Sequence, residues 1–518
     1  MNIGAAIANS AWLAASIPEW LRFKRAASRV EATQRDLLQN YLQTNADTEF
    51  GHLHDFGSIR SWEEYADRIP LRTYDQSETW IRRIAAGETG ILTTDPVTLL
   101  EPTSGSSGAE KWVPYTRTLR AEFRRAVAVW ITGTFIENPR LLGGQAYWSL
   151  TPQVSKPRPP ETKIPIGFED DSAYLGGLTQ RLISHALLMP PKMESSDNMG
   201  HFWHITLLEL LRCRNLRLVS VWHPSFILLL LKHLRGHWAE LMRDLRTRDK
   251  ARAAALEKIG PTKAPAIWPH LGLISCWGDA QASGCLPEIR SEFPGVRIQP
   301  KGLVATEAFC TLPLGDQHPL AIRSHFFEFR DSDGNVLPSW SLREGDSYSL
   351  IVTTGGGLYR YELRDQVEVT SFLGGIPSLQ FVGKEDSVAD HYGEKLSEAF
   401  VAESMTKVFS RHALEPAFAM LALDPGKNAP AYTLYIESAE SLNNGIIDEL
   451  DTELRRNPHY DLCINLGQLE PLRALSIPKD AYAAYSGVLI KRGMRLGDIK
   501  PTSLSRMTSW SQHFAGIS

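Results

Sequence analysis

At 518 residues, with 43% apolar and 22% charged side chains, the chain is too rich in apolar residues for a disordered protein and too long for one ordinary core, so two or three folded units are expected. A net charge of −4 gives no electrostatic reason to expect nucleic acid or an anionic membrane as a partner. The five cysteines are widely spaced with no C-x-x-C pair, which speaks against a disulfide framework or a zinc site and reads as reduced thiols in the cytoplasm. Ile3 to Ile17 is apolar and alanine-rich without a Lys or Arg ahead of it, so it reads as a packed helix rather than a signal peptide. Apolar periodicity predicts helices over Glu31–Leu42, Ser61–Arg68 and Tyr74–Ala86, with loops at Asn45 to Gly51 and Asp55 to Ser58.

Val97 to Leu100 reads as a strand that Pro102 ends. Thr103 to Gly108 then contains only Thr, Ser and Gly, and Trp112, Val113 and Tyr115 read as a second strand. Leu119, Phe123, Val127 and Trp130 recur at helical spacing after Thr116. A Ser/Gly loop between two strands can turn successive N–H groups inward, because Gly105 and Gly108 permit unusual backbone angles. The hydroxyls of Thr103, Ser104, Ser106 and Ser107, with the charge of Lys111, complete a candidate phosphate cradle. It is not a Walker A loop, and taken on its own the short Gly/Ser stretch reads first as an exposed turn between two strands.

Further on, Ala146–Leu150 is strand-like and Thr151 to Pro165 a surface loop. Helix is expected over Phe202–Leu211, strand over Leu216–Trp222, and helix over Pro224–Leu234. His201 and His204 read as helix-face residues. Phe226 to Leu231 is too short to span a bilayer. Strands follow at Leu271–Trp277 and Val296–Gln299, the latter entering GLVATEAF at Gly302. Ser324 to Phe372 is strand-rich, with a hairpin turn at Asp331-Ser-Asp-Gly that lacks the calcium-loop pattern and a break at Gly355-Gly-Gly. A polar stretch near Gly383 precedes a helix over Leu396–Phe409, strands over Ala417–Leu423 and Tyr432–Glu437, and a helix over Gly445–Arg455. No internal repeat is visible.

Several segments occur in a telling order: NADTEFG at 45–51, EPTSGSSGAEKWVPYT at 101–116, WPHLGLISCW at 268–277, ATEA at 305–308, GLYRYELRD from Gly357, and RGMRLGDIKP from Arg492. Together they make the chain resemble the auxin-responsive Gretchen Hagen 3 family of acyl acid amido synthetases, within the adenylate-forming superfamily, over nearly its whole length. The resemblance implies an α/β protein: a large adenylate-forming N-terminal domain of mixed sheets and helices (1–383), a hinge (384–398) and a smaller α+β C-terminal domain (399–518). It implies a ligase that activates a small carboxylic acid with ATP and Mg²⁺ as an acyl adenylate, then passes the acyl group to an amino acid amine.

The same resemblance implies roles residue by residue. Ser104 to Gly108 would cradle phosphates, Thr306 would contact the α-phosphate, Glu307 would hold Mg²⁺, and Asp365 would accept from both ribose hydroxyls. Lys500 would reach the phosphates from the small domain, since Arg492-Gly493 and Lys500 keep the family's spacing; Lys395 is a second candidate. Trp222, His223 and Phe226 are candidates for the acyl pocket by position. Plainer readings stay open: Glu307 as a solvated loop carboxylate, Asp365 as a partner of Arg360 or Arg364, Lys500 as a tail lysine, and the aromatic pair as core. Ala308 and Arg364 stand where the family usually has glycine, and Pro501-Thr502 also departs from its pattern. An acyl-CoA ligase and a nucleotide-binding protein without turnover remain the rival functions.

Overall fold

The structure, a computed structural model, describes residues 2–104, 110–148, 162–167, 185–188, 199–385, 388–389, 391–438, 440, 442–492, 494 and 499–514. The chain divides into two compact units. The larger comprises Met1–Trp277, Glu288–Leu363 and Val367–Gln380; the smaller comprises Gly278–Pro287, Arg364–Gln366 and Phe381–Ser518.

In the larger unit the apolar N-terminal stretch forms α1 (Ile3–Ala26), capped by Asn2, whose side chain accepts the Ala5 N–H at 3.1 Å. α2 spans Val30–Thr44. The loop expected over Asn45 to Gly51 gives way to a short helix at Glu49–Leu53, because Thr48 Oγ1 takes the Gly51 N–H at 2.9 Å and caps it. β1 (Leu99–Ser104) and β2 (Glu110–Tyr115) pair antiparallel, and Pro102 sits inside β1 opposite Trp112. The expectation that Pro102 ends the strand is therefore corrected. In a two-stranded ribbon a proline is tolerated where its missing N–H is not needed by the ladder. α3 (Arg117–Glu137) follows, with Thr116 as its cap and Leu119, Phe123, Ala126 and Trp130 buried at helical spacing.

The sheet that positions the candidate site is parallel throughout. Its strands are β3 (Gln145–Trp148), β4 (Leu187–Leu188), β5 (Leu216–Ser220), β6 (Leu273–Trp277) and β7 (Arg297–Lys301), in spatial order β4-β3-β5-β6-β7. Every residue of β6 is buried, as a central parallel strand covered on both faces requires. β7 extends past the expected Gln299 to Lys301. α4 (Met199–Arg212) leads into β5, and α5 (Ser225–Gly236) leaves it. A second sheet, of order β12-β11-β10-β8-β9, contains β8 (Phe326–Arg330), β9 (Val336–Pro338), β10 (Ser347–Thr353), β11 (Tyr361–Leu373) and β12 (Ile376–Lys384). Asp331 Oδ1 accepts the N–H groups of Asp333 and Asn335 at 3.0 and 2.8 Å, which makes this stretch the β8–β9 turn.

The smaller unit pairs β13 (Val388–Ala389) with β14 (Leu396–Ser397), then builds a four-stranded sheet of order β17-β16-β15-β18 from β15 (Phe418–Asp424), β16 (Ala431–Glu437), β17 (Glu470–Ser476) and β18 (Leu504–Ser505). α6 (Glu398–Arg411) starts after the expected Leu396 because Ser397 Oγ accepts the Phe400 N–H and caps it. Val401, Met405 and Val408 of α6 join Leu450 and Leu454 of α7 (Asn444–Leu454) in one core. Tyr485 of α8 (Ala481–Lys491) joins Trp510 and Phe514 in another. Among the described residues no helix is long and apolar enough to cross a membrane.

The elements of the larger unit meet at one buried carboxylate. Glu122 of α3 accepts from Tyr41 Oη of α2 at 2.7 Å, from the Gly355 N–H at 3.0 Å, and pairs with His325 Nδ1 at 3.0 Å. His325 Nε2 accepts the Phe309 N–H at 3.0 Å, so the ring proton lies on Nδ1 and the imidazole is neutral. A carboxylate and a histidine with no exposed surface are tolerable only with donors in place. Tyr41→Phe removes one donor and is expected to cost about 1 kcal/mol, whereas Glu122→Ala strands three buried donors at roughly 1–3 kcal/mol each. Urea unfolding midpoints measure both; losses of equal size would show that Glu122 does not hold these elements together.

Candidate active site

The β1–β2 ribbon is tied to the Thr-Glu segment at its Leu99–Tyr115 end. Tyr115 at the end of β2 donates its hydroxyl to the Thr306 carbonyl at 2.6 Å. Thr103 and Ser104 are strand residues opposite Lys111 and Glu110. Gly105, Ser106, Ser107 and Gly108 lie outside the described residues. The Lys111 ammonium stands 5.6 Å from the centre of the Tyr74 ring, while the Tyr74 hydroxyl accepts the Trp112 N–H at 2.9 Å.

Thr306 and Glu307 occupy the tip of a tight turn. Val304 and Phe309 bridge, and the Ala305 N–H donates to the Ala308 carbonyl at 2.9 Å. Both tip residues are half-buried. Ala308 is fully buried but is not among the residues with positive φ, so a methyl group is carried there without backbone strain. The turn is held from behind, since the Phe309 N–H is the donor to His325 described above.

Asp365 belongs to the smaller unit, in the span Arg364–Gln366, and is buried. Lys384 Nζ stands 3.1 Å from its Oδ1, but off hydrogen-bonding geometry, so Oδ1 remains a buried acceptor without a hydrogen-bond donor. Arg360 is committed elsewhere: its guanidinium meets Glu328 at 3.2 Å and donates to the carbonyls of Ala66 and Ile69. Arg364, where the resemblance expects glycine, has φ of +58°, a left-handed conformation that glycine adopts freely and arginine does not. Its carbonyl accepts the Glu385 N–H at 2.8 Å, which helps to hold it there.

Lys500 is exposed in the smaller unit, with its carbonyl fixed by the Tyr485 hydroxyl at 2.9 Å and the preceding Ile499 fully buried. Gly493 and residues 495–498 of that motif are outside the described residues. Lys395 is also exposed, at φ of +44°, and its carbonyl accepts from Asn457 Nδ2 at 3.0 Å. Just before it, the fully buried Glu394 accepts the N–H groups of His391 and Tyr392 and the Tyr432 hydroxyl.

The three acyl-pocket candidates lie at or just beyond the C-terminal end of β5. Trp222 is 38% exposed. His223 is buried, and its Nδ1 meets Ser225 Oγ at 2.7 Å at the start of α5. Phe226 packs against Trp203 at 4.7 Å. The residue that sequence reasoning passed over is Lys301, the last of β7, one position before GLVATEAF. It is 4% exposed, and its ammonium lies 4.7 Å from the Trp222 ring, 5.7 Å from Trp148 and 5.8 Å from Trp130. Burial lowers its pKa from the ordinary lysine value to about 7. The available signal was a lysine closing an alternating strand immediately ahead of a motif.

That depressed value predicts how stability varies with pH. Below about pH 7 folded and unfolded Lys301 are both charged, and the cost of burying the charge is fully felt. As pH rises from 7 toward 10.5 the unfolded chain holds a proton that the folded one lacks, so stability increases. In urea melts, the gain in unfolding free energy from Lys301→Met should be greatest below pH 7 and shrink as pH rises. A gap that does not change with pH would show that the lysine is not buried as an unpaired base.

The chain matches the GH3 family N-terminal domain over residues 21–298, its central domain over 318–384 and its C-terminal domain over 397–509. It is 23% identical over 444 residues to a putative indole-3-acetic acid-amido synthetase of Oryza sativa subsp. japonica, covering 79% of this chain and 91% of that protein. An indole-3-acetic acid-amido synthetase of Arabidopsis thaliana is 22% identical over 438 residues, covering 72% of this chain and 70% of its own. Among solved structures, AtGH3.15 acyl acid amido synthetase in complex with 2,4-DB superposes with a TM-score of 0.84 at 18% identity, covering 96% of this chain and 95% of that one. A 2-hydroxyisobutyryl-CoA ligase in its postadenylation state, in complex with 2-HIB-AMP, gives 0.57 at 13% identity, covering 95% and 91%. The fold is that of the adenylate-forming enzymes, and with the family's three domain models matched in order along its length, the chain belongs to the GH3 family.

Proposed function

We propose that this protein is an ATP-dependent acyl acid–amido synthetase. The observation that supports the reading is the Tyr115–Thr306 hydrogen bond, which ties the β1–β2 ribbon to the Thr-Glu turn, two segments to which this reading gives phosphate-binding roles. A carboxylate oxygen attacks the α-phosphorus of ATP, the bond to pyrophosphate breaks, and an acyl adenylate forms. An amino acid amine then attacks the acyl carbon, AMP leaves with the bonding pair, and the amine's proton passes to solvent. The first step depends on positioning and on neutralising charge.

Each residue has a job in this scheme. Thr103 to Gly108 and Lys111 bind phosphate oxygens, and Thr306 contacts the α-phosphate. Glu307 suits Mg²⁺, which typically takes one or two carboxylates plus substrate phosphates; when bound, the ion offsets phosphate charge. The buried, donor-less Oδ1 of Asp365 suits a ribose hydroxyl. The smaller unit turns about a hinge at 384–398 and delivers Lys500 to the departing pyrophosphate, with Lys395 as the alternative. The likeness to a CoA ligase favours one second reading, in which a thiol replaces the amine. Supplying each nucleophile in turn to the adenylate separates the two.

Lys500→Ala is expected to lose about 10²–10³ of carboxylate-dependent ATP–pyrophosphate exchange, the usual effect of removing one preorganised donor to developing charge. Given a pre-made acyl adenylate and an amino acid, it should form amide at nearly the parent's rate. Exchange that survives intact would move the role to Lys395. For Asp365, substitution by Ala should narrow the discrimination between ATP and 2′-deoxy-ATP, because charge-assisted bonds to the ribose are lost. Unaltered discrimination in calorimetric titrations would assign the ribose to another group. If the parent exchanges pyrophosphate with no acid tried, the ligase reading falls.

A further inference from the structure

A lysine ammonium inside a protein is ordinarily paired, since an uncompensated buried charge is costly. Among the described residues Lys301 forms no ion pair with a carboxylate, and Cys276 is the titratable neighbour that raises its pKa against burial. What surrounds it is aromatic. Trp130 comes from α3, Trp148 from the end of β3, and Trp222 from just beyond β5. The ring faces supply partial compensation through cation–π attraction. Trp222 is 38% exposed and forms the solvent side of the cage.

The location matches where ligands bind in this architecture. Trp148, Trp222 and Lys301 all sit at or just past the carboxyl ends of parallel strands. In spatial order β4-β3-β5-β6-β7, β3 is followed in sequence by its neighbour on one side and β5 by its neighbour on the other. The order therefore reverses between β3 and β5, and open α/β sheets take ligands outside the carboxyl ends at such a reversal. Directly after Lys301 the chain enters the turn that presents Thr306 and Glu307.

We propose that Lys301, walled by Trp130, Trp148 and Trp222, is an anion anchor in the acyl-acid pocket and selects a flat acid bearing a second carboxylate away from the reacting one. This rests on the adenylate-forming reading above. The course of the reaction argues for the second group. Adenylation converts the reacting carboxylate to a neutral acyl group, so a lysine paired with it would lose its partner halfway through the cycle. A non-reacting carboxylate keeps the buried ammonium compensated through both steps. The indole faces accept a flat ring and exclude water from the pair.

The test uses the full-length protein, with benzoate as the mono-acid and isophthalate and terephthalate as the di-acids, titrated calorimetrically at pH 8 in two buffers of different ionisation enthalpy. The parent is expected to bind one of the di-acids about 10²-fold more tightly than benzoate, as for a desolvated charge pair, and to take up close to one proton as it does so. Lys301→Met should lose the preference and the proton uptake while keeping benzoate binding within a few-fold; Lys301→Arg, which keeps the charge, should restore the preference. Equal affinity of the parent for mono- and di-acids overturns the proposal, as does a preference that survives in Lys301→Met. Equal loss of all three acids in Lys301→Met also overturns it, by placing Lys301 on the reacting carboxylate. The ligase reading fails separately: Lys301-dependent di-acid binding without pyrophosphate exchange removes the ligase and keeps the anchor, whereas exchange without di-acid preference removes the anchor and keeps the ligase.

Discussion

The larger unit depends on one buried carboxylate. Glu122 gathers donors from α2, from the segment just before β8 and from the Gly355 turn after β10. Through His325 it also fixes the backbone behind Thr306 and Glu307. Hydrogen bonds of this kind contribute modestly when made and cost much more when broken, because each orphaned partner stays buried. A polar network without exposed surface therefore works as a register device. It admits one arrangement of helix, sheet and turn, and that arrangement sets where the Thr-Glu tip points.

The parallel sheet supplies the second constraint. Its strands run the same way, so their carboxyl ends share one edge, and the residues collected there come from distant parts of the sequence: Trp148, Trp222, Trp277 and Lys301. Trp277 and Lys301 are register partners on adjacent strands. Side chains at that edge need not pack the sheet's interior, which frees them for recognition. A buried lysine among indoles is a poor way to stabilise a core and a good way to hold a negative group.

In the smaller unit the backbone is strained at two places beside or at candidate site residues. Arg364 and Lys395 both have positive φ without being glycine, at a cost of order 1–3 kcal/mol each. Arg364 adjoins Asp365, and Lys395 follows the buried Glu394, whose three hydrogen bonds hold the turn. Such strain persists only where neighbouring bonds outweigh it. An arginine at a glycine-type position keeps the geometry around Asp365 while adding a long charged side chain beside it.

The sequence alone determined the elements with strong period and the motifs with fixed spacing. Leu119 to Trp130 declared α3, the apolar run at Leu271–Trp277 declared a strand, and the ordered motifs declared the family. Such signals are local, so they survive without knowledge of the fold. Boundaries set by a single hydrogen bond were not legible, as with Thr48 starting a helix and Ser397 delaying one, and neither was the place of Pro102 inside its strand. Tertiary structure alone decided the partnerships. That Asp365 meets Lys384, that Arg360 belongs to Glu328, that Glu122 unites four segments, and that Lys301 lies among three tryptophans all depend on residues brought together across tens to hundreds of positions. Burial and pairing are properties of the folded environment, and no window of sequence contains them.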